Sequence, residues 1–216
     1  LVDELSNLVN INVVYDNTNS AVVSIGGALA VDRMHSAEFV AEEVNGKLNL
    51  KVKDGSYPIV LTGGELNALS QVYSKKIPAY QQKLDAVINK LVEAVNGEHA
   101  NGFTLTDPQE TGLSFFEGYV NGELLINQEL VDDPNKIAIS LDGTEGNGEI
   151  ALRIAQLTDA KLLNGNTLME SYSSMINGLG NDGMLQNNYT QANQMVLSEL
   201  EQLRASQSGV SVDEEM

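Results

Sequence analysis

Apolar residues in the last quarter of the chain recur as Leu168, Tyr172, Met175 and Leu179, then as Leu185, Tyr189, Ala192, Val196, Leu200 and Leu203. Steps of three and four place them on one stripe of an α-helix, the spacing of a helix packed along another helix. A second run of the same kind covers Leu66, Leu69, Val72, Ile77, Tyr80, Leu84, Val87, Leu91 and Val95. Pro78 falls inside it, removes one backbone donor, and predicts a kink near Lys75 or a split into two segments. Burying one face does not offset the entropy of ordering so long a segment, so each long helix needs a partner and a bundle is expected. Gly183 lies in the C-terminal stripe and should weaken or bend that helix, at about 1 kcal/mol relative to Ala.

Shorter elements lie before and between these runs. Leu1, Leu5, Leu8 and Val9 form a short helical stripe. Ile11–Tyr15 then reads as a strand, residues 16–20 as a polar turn, and Ala21–Ile25 as the antiparallel partner. Short strands follow at 28–31, 38–41, 48–52 and 59–61, separated by turn chemistry at Gly26-Gly27, Asn45-Gly46 and Asp54-Gly55. The short connections favour a meander or a small barrel-like sheet over a parallel one. Farther on, Asn121-Gly122 marks a hairpin turn before Leu124-Leu125-Ile126, and Asp132-Asp133-Pro134-Asn135 marks another turn. Residues 137–141 read as extended and 142–148 as a loop. Residues 149–157 return to helix with Ile150, Ile154 and Leu157 on one face.

These elements predict an α+β fold, a long-helix bundle carrying a small antiparallel β subdomain. The expected partition gives residues 1–9, 62–102 and 149–216 to the helical bundle. Residues 10–61 form the β subdomain, and 103–148 an irregular connection with a β-hairpin.

Charge and composition then narrow the function. Twelve Lys and Arg stand against 30 Asp and Glu, a formal net charge of −18. Such a polyanion repels phosphate backbones and anionic lipid, which disfavours nucleic-acid and membrane-surface roles. The absence of Cys removes disulfides, thiolate catalysis and Cys-ligated zinc together, and suits a protein exported unfolded. No apolar run reaches the roughly 18–20 residues of a membrane span, and the first residues lack the basic region of a signal peptide.

The C-terminal Ser208-Gly209-Val210-Ser211-Val212-Asp213-Glu214-Glu215 resembles the signature before the last helix of axial flagellar proteins, in particular the family of hook-associated protein 1 at the hook-filament junction. Gly209 can close one helix, and Ser211 with Glu214 reads as a capping box opening the next, so a cut is expected after Met216; the Leu1 stripe, with no cap before it, predicts another at the N-terminus. The middle of the chain extends the resemblance. Gly63-Gly64-Glu65-Leu66 precedes the long helix, which ends in Asn96-Gly97-Glu98-His99-Ala100-Asn101-Gly102-Phe103, similar to the family's Asn-x-x-His-x-x-Gly-aromatic turn. Phe115-Phe116, Asp133-Pro134-Asn135-Lys136-Ile137-Ala138 and Ala151-Leu152-Arg153-Ile154-Ala155-Gln156-Leu157 follow in the family's order. Two departures stand out. Thr104 replaces an Asp that often follows the glycine-aromatic pair, and the segment between Phe116 and Asp132 is short.

The resemblance implies an exported structural subunit that joins hook to filament, assembles as a ring, and partners hook protein, other hook-associated proteins and an export chaperone. It implies no catalysis, cofactor or metal. It also implies terminal helices beyond this stretch that form an inner coiled-coil core, so that this stretch alone is expected to stay monomeric. Two alternatives stay open: another axial flagellar protein, and a secreted adhesin or carbohydrate-active surface protein. The latter would want an aromatic platform, and the chain has no Trp.

Candidate chemistry reads as structural. His99 sits just past a helix end, where a ring can bond the last carbonyls, and His35 lies far from it without metal-ligand spacing. Asp132, Asp133, Asn135, Asp142 and Glu145 do not follow the register of a calcium loop and read as solvated turns. The Gly-Gly pairs lack the context of phosphate loops. Glu42-Glu43 and Glu214-Glu215 read as side chains that point apart. The expected catalytic, cofactor and metal sites are none.

Overall fold

The structure is a computed structural model that describes residues 1–17 and 20–208. The C-terminal signature beyond Ser208 and its capping box lie outside the described residues. The fold is α+β, and the chain divides into two compact units, Leu1–Gln82 and Lys83–Met216.

The first unit opens with α1 (Val2–Leu8), followed by β1 (Ile11–Tyr15), β2 (Ala21–Ile25), β3 (Ala28–Asp32) and β4 (His35–Ser36). These pair as an antiparallel meander in chain order, with a bulge between Val23 and Ser24. β5 (Phe39–Val44), β6 (Lys47–Val52) and β7 (Pro58–Ile59) form a separate three-stranded antiparallel sheet. The single small sheet expected from the strand spacing is therefore two. The break falls at β4, a two-residue strand too short to carry a readable period. Val9, Val23, Ile25 and Ala30 are the buried centre of this unit, packed by Leu5, Ile11, Val13, Phe39, Ile59 and Leu66. Gly64, at φ +83°, passes so close that a Cβ there would lie 2.5 Å from the Leu8 carbonyl oxygen, which no ordinary side chain tolerates. The helix α2 (Glu65–Gln71) starts from that contact.

The second long apolar run is one helical path with a change of register. α2 passes into a π-helical stretch, Val72–Lys76, and then into α3 (Ile77–His99). Pro78 sits just after the stretch. Its missing N–H and bulky ring disrupt the α register there, and the wider π turn absorbs the defect.

The second unit continues α3 and adds the hairpin β8 (Phe116–Val120) and β9 (Glu123–Ile126), then α4 (Gln128–Asp132), a short 3₁₀ turn, α5 (Glu149–Gln156) and α6 (Leu168–Ser208). Asn121 and Gly122 both take positive φ, the conformation a two-residue hairpin turn needs, and Asn45-Gly46 repeats it between β5 and β6. Residues 137–141 form no strand among the described residues. Ser140 makes only an isolated bridge to Phe103. The helix α6 runs 41 residues through Gly178, Gly180 and Gly183 as one element. A Gly inside a helix costs about 1 kcal/mol, less than is needed to end one. Its start is a capping box at Thr167 and Glu170: Thr167 Oγ1 accepts from the Glu170 N–H at 3.1 Å, and Glu170 accepts from the Thr167 N–H at 2.8 Å. Lys161, paired with Glu170 at 2.7 Å, is the main cause holding that carboxyl below its ordinary pKa.

Candidate functional site

Two features of the second unit are candidates for function, a buried polar hub and an exposed apolar face. The hub is built at the C-terminal end of α3. Asn96 Oδ1 accepts from the Phe115 and Phe116 N–H groups at 2.9 and 2.8 Å, and its Nδ2 donates to the Phe116 carbonyl at 2.9 Å. One turn on, His99 is almost wholly buried. Its Nδ1 lies 2.8 Å from the Leu113 carbonyl oxygen and its Nε2 3.0 Å from the Ala138 N–H. A carbonyl can only accept and an amide N–H can only donate, so the two partners define a neutral ring protonated at Nδ1. Phe115 meets the ring edge-on at 5.5 Å, and Phe116 packs edge-on against Phe115 at 4.9 Å.

His99 therefore does not close its own helix by bonding the last carbonyls. It ties α3 to two segments 14 and 39 residues away. Gly102 completes the hub, because a Cβ there would approach the Ala138 carbonyl oxygen to 2.7 Å. Phe103 N–H then donates to the Ser140 carbonyl at 2.7 Å. Buried Thr104 accepts the Glu110 N–H at 2.7 Å, holding the following loop. The residues of the Asn-x-x-His-x-x-Gly-aromatic turn are all structural parts of one knot.

The acidic turns are likewise occupied by their own loops. Asp142 Oδ1 accepts from Ser140, from the Thr144 amide and hydroxyl, and from Asn147 Nδ2, which holds its pKa down at about 2, the Thr144 bonds contributing most. Asp133 caps the 3₁₀ turn through the Asn135 N–H at 3.0 Å. Lys136 pairs with Glu129 at 2.7 Å. Among the described residues no three His, Cys, Asp or Glu converge as a metal site. Glu42 and Glu43 point to different partners, Lys51 at 2.8 Å and the Tyr73 hydroxyl at 2.9 Å. His35 lies exposed on β4.

The second feature is α6 itself. Over its first turns Leu168, Ser171, Met175 and Gly178 are half-buried at helical spacing. Ser171 and Met175 share a groove of about 250 Å³ with Ala86 and Val87 of α3. Leu168 shares an apolar one of about 260 Å³ with Leu91, Val95 and Ile154. Beyond Gly178 the stripe continues in sequence but no longer has anything to pack on. Leu179, Leu185, Tyr189, Val196, Leu200 and Leu203 are 43–64% exposed. The helix-on-helix packing expected for the whole stripe is thus met only by its first part. From Leu179 to Leu203 the bare face runs about 36 Å, at roughly 1.5 Å per residue. A soluble monomer rarely leaves so long an apolar stripe in water unless it serves an interaction. No helix among the described residues is long and apolar enough to cross a membrane.

A chain whose described polar clusters are spent on holding loops, and whose long C-terminal helix leaves one apolar side bare, is built as a structural subunit. It belongs to the FlgK family of flagellar hook-associated proteins: the model of the FlgK helical domain matches residues 1–116, more than half of the 216 residues. The chain is therefore of a structural, hook-associated kind that is exported to the bacterial flagellum and serves motility there. No curated protein matches the chain.

Proposed function

We propose that this chain is a subunit of the junction between flagellar hook and filament, adapting one helical lattice to the next without catalysis. The exposed apolar face of α6 carries the reading. That face is too long to leave in water and is carried by a family whose members associate with the hook. The partners proposed are hook protein, other hook-associated proteins and copies of the same chain arranged as a ring, with an export chaperone covering apolar helix before assembly. Export proceeds without a cleaved signal peptide. With −18 net charge the subunit has no affinity for nucleic acid or anionic membrane. Residues 1–216 alone, at ordinary dilution, stay monomeric.

The test is electron microscopy of cells from which the gene has been deleted. Hooks without filaments, with flagellin shed into the medium, support the junction reading. Normal filaments overturn it.

A further inference from the structure

The dipeptide Asn-Gly occurs seven times in the chain. It carries a reaction of its own. The glycine backbone nitrogen, having lost its proton to water, attacks the asparagine Cγ. A five-membered succinimide ring closes and ammonia leaves. Water then opens the ring at one carbonyl or the other, giving Asp or the β-linked isoaspartate. The reaction consumes only water. Glycine favours it because no Cβ obstructs its nitrogen. Three conditions must hold: the asparagine side chain is free to turn onto that nitrogen, the glycine N–H is not donated to an acceptor, and the local backbone can shift to the geometry of the ring.

Four of the seven pairs fail these conditions. Asn96-Gly97 and Asn177-Gly178 lie inside α3 and α6, where the glycine N–H serves the helical ladder. Asn96 is further fixed by its three bonds to Phe115 and Phe116. Asn101 Nδ2 donates to the Gly97 carbonyl at 2.8 Å, and the Gly102 N–H donates to the His99 carbonyl at 3.0 Å. Asn147 is pinned from both sides of its amide: Nδ2 donates to Asp142 at 2.9 Å and Oδ1 accepts from the Glu149 N–H at 3.0 Å.

The other three meet them. Asn45-Gly46, Asn121-Gly122 and Asn164-Gly165 each fill the centre of a two-residue turn, with the asparagine at φ +53°, +54° and +50°. The first two close β5–β6 and β8–β9. The third is closed by reciprocal backbone bonds between Leu163 and Asn166 at 3.1 and 2.9 Å. In such a turn the flanking residues make the hydrogen bonds, which leaves the central glycine amide free. All three asparagines are exposed, and among the described residues none of their side chains is held by another group.

We infer that Asn45, Asn121 and Asn164 are sites of spontaneous deamidation, and that the fold shields the remaining four Asn-Gly pairs. The two products act differently. Asp preserves the turn, since it tolerates positive φ as Asn does. Isoaspartate adds a methylene to the backbone, and a turn so lengthened no longer matches the register of the strands it joins. Each event also adds one negative charge. At Asn121 that charge falls two residues from Glu123, in a stretch from Gly112 to Asn135 that contains no Lys or Arg.

The test incubates the purified 216-residue chain at mildly alkaline pH, once folded and once in concentrated urea. Peptide mass mapping follows the exchange of –NH₂ for –OH at each of the seven asparagines. In the folded chain Asn45, Asn121 and Asn164 should convert at least about tenfold faster than Asn96, Asn101, Asn147 and Asn177, whose reaction waits on local opening. In urea all seven should convert at comparable rates, because the dipeptide is the same. Equal rates across the seven in the folded chain overturn the proposal. So does a folded chain in which the three turn asparagines stay intact over the time that urea converts them. A difference that persists in urea overturns it as well, since the shielding would then come from neighbouring sequence and not from the fold. This readout is independent of the deletion phenotype that tests the junction reading.

Discussion

The end of α3 and the end of α6 are opposites. Around Asn96 and His99 polar side chains are buried, and every hydrogen-bonding atom named there is matched. Along α6 after Gly178, leucines and a valine that would ordinarily form a core stand in water. The first arrangement can exist only if its partners are in the same chain, because an unmatched buried donor costs about 1–3 kcal/mol. The second is tolerable in one chain and favourable only when something covers it. The polar hub therefore contributes stability to the second unit, and the apolar helix is the surface on which the proposed assembly rests. The usual reading, in which apolar spacing marks the core and polar residues mark the active surface, is inverted here.

That contrast is broken most severely at Asn96. Asn96→Ala removes three hydrogen bonds to the backbone at Phe115 and Phe116 and should cost about 3–5 kcal/mol, measured by urea unfolding of the purified chain. A loss under 1 kcal/mol would mean that the hub is not what holds the second unit. Gly102→Ala comes next, at about 2 kcal/mol, since its Cβ must push against the Ala138 backbone. The same assay should show a lowered midpoint with an unchanged slope.

Acid reaches a smaller contribution. The Asp142 carboxyl is held at about 2 in the folded chain against 3.8 ordinarily. A depressed carboxyl stabilises the fold above its unfolded pKa, and that stability is lost as pH falls from about 4 towards about 2. Asp142→Asn should flatten the unfolding midpoint across this window, and a variant whose midpoint falls as steeply as the parent's would contradict it. Smallest of all, Val196→Ser and Leu200→Ser should each shift stability by no more than about 0.5 kcal/mol, because neither side chain is covered in the isolated chain.

Much of the fold was legible. Period-two runs and Asn-Gly turns located β1, β2, β5, β6 and the β8–β9 hairpin, since these signals are local. Pro78 located the break in the second helix because its missing donor acts within one turn. The division into two sheets is not legible, because sheet membership depends on pairings that a two-residue strand hardly marks. The capping box that opens α6 is likewise local, carried by Thr167-Leu168-Met169-Glu170 alone. The hub was visible as a motif, yet its purpose was not: nothing local to Asn96 or His99 names Phe115, Leu113 or Ala138 as partners. The bare face of α6 was equally hidden, for helical spacing records which residues share a side and not whether that side is covered.

The most direct test of the account replaces Leu185, Val196, Leu200 and Leu203 together by Ser in the protein that cells make. The purified 216-residue chain with the same changes should keep its thermal unfolding midpoint, while the cells should carry hooks without filaments under the electron microscope. A lowered midpoint would mean that the face is covered within the chain. Filaments of normal number and length would mean that it takes no part in joining hook to filament.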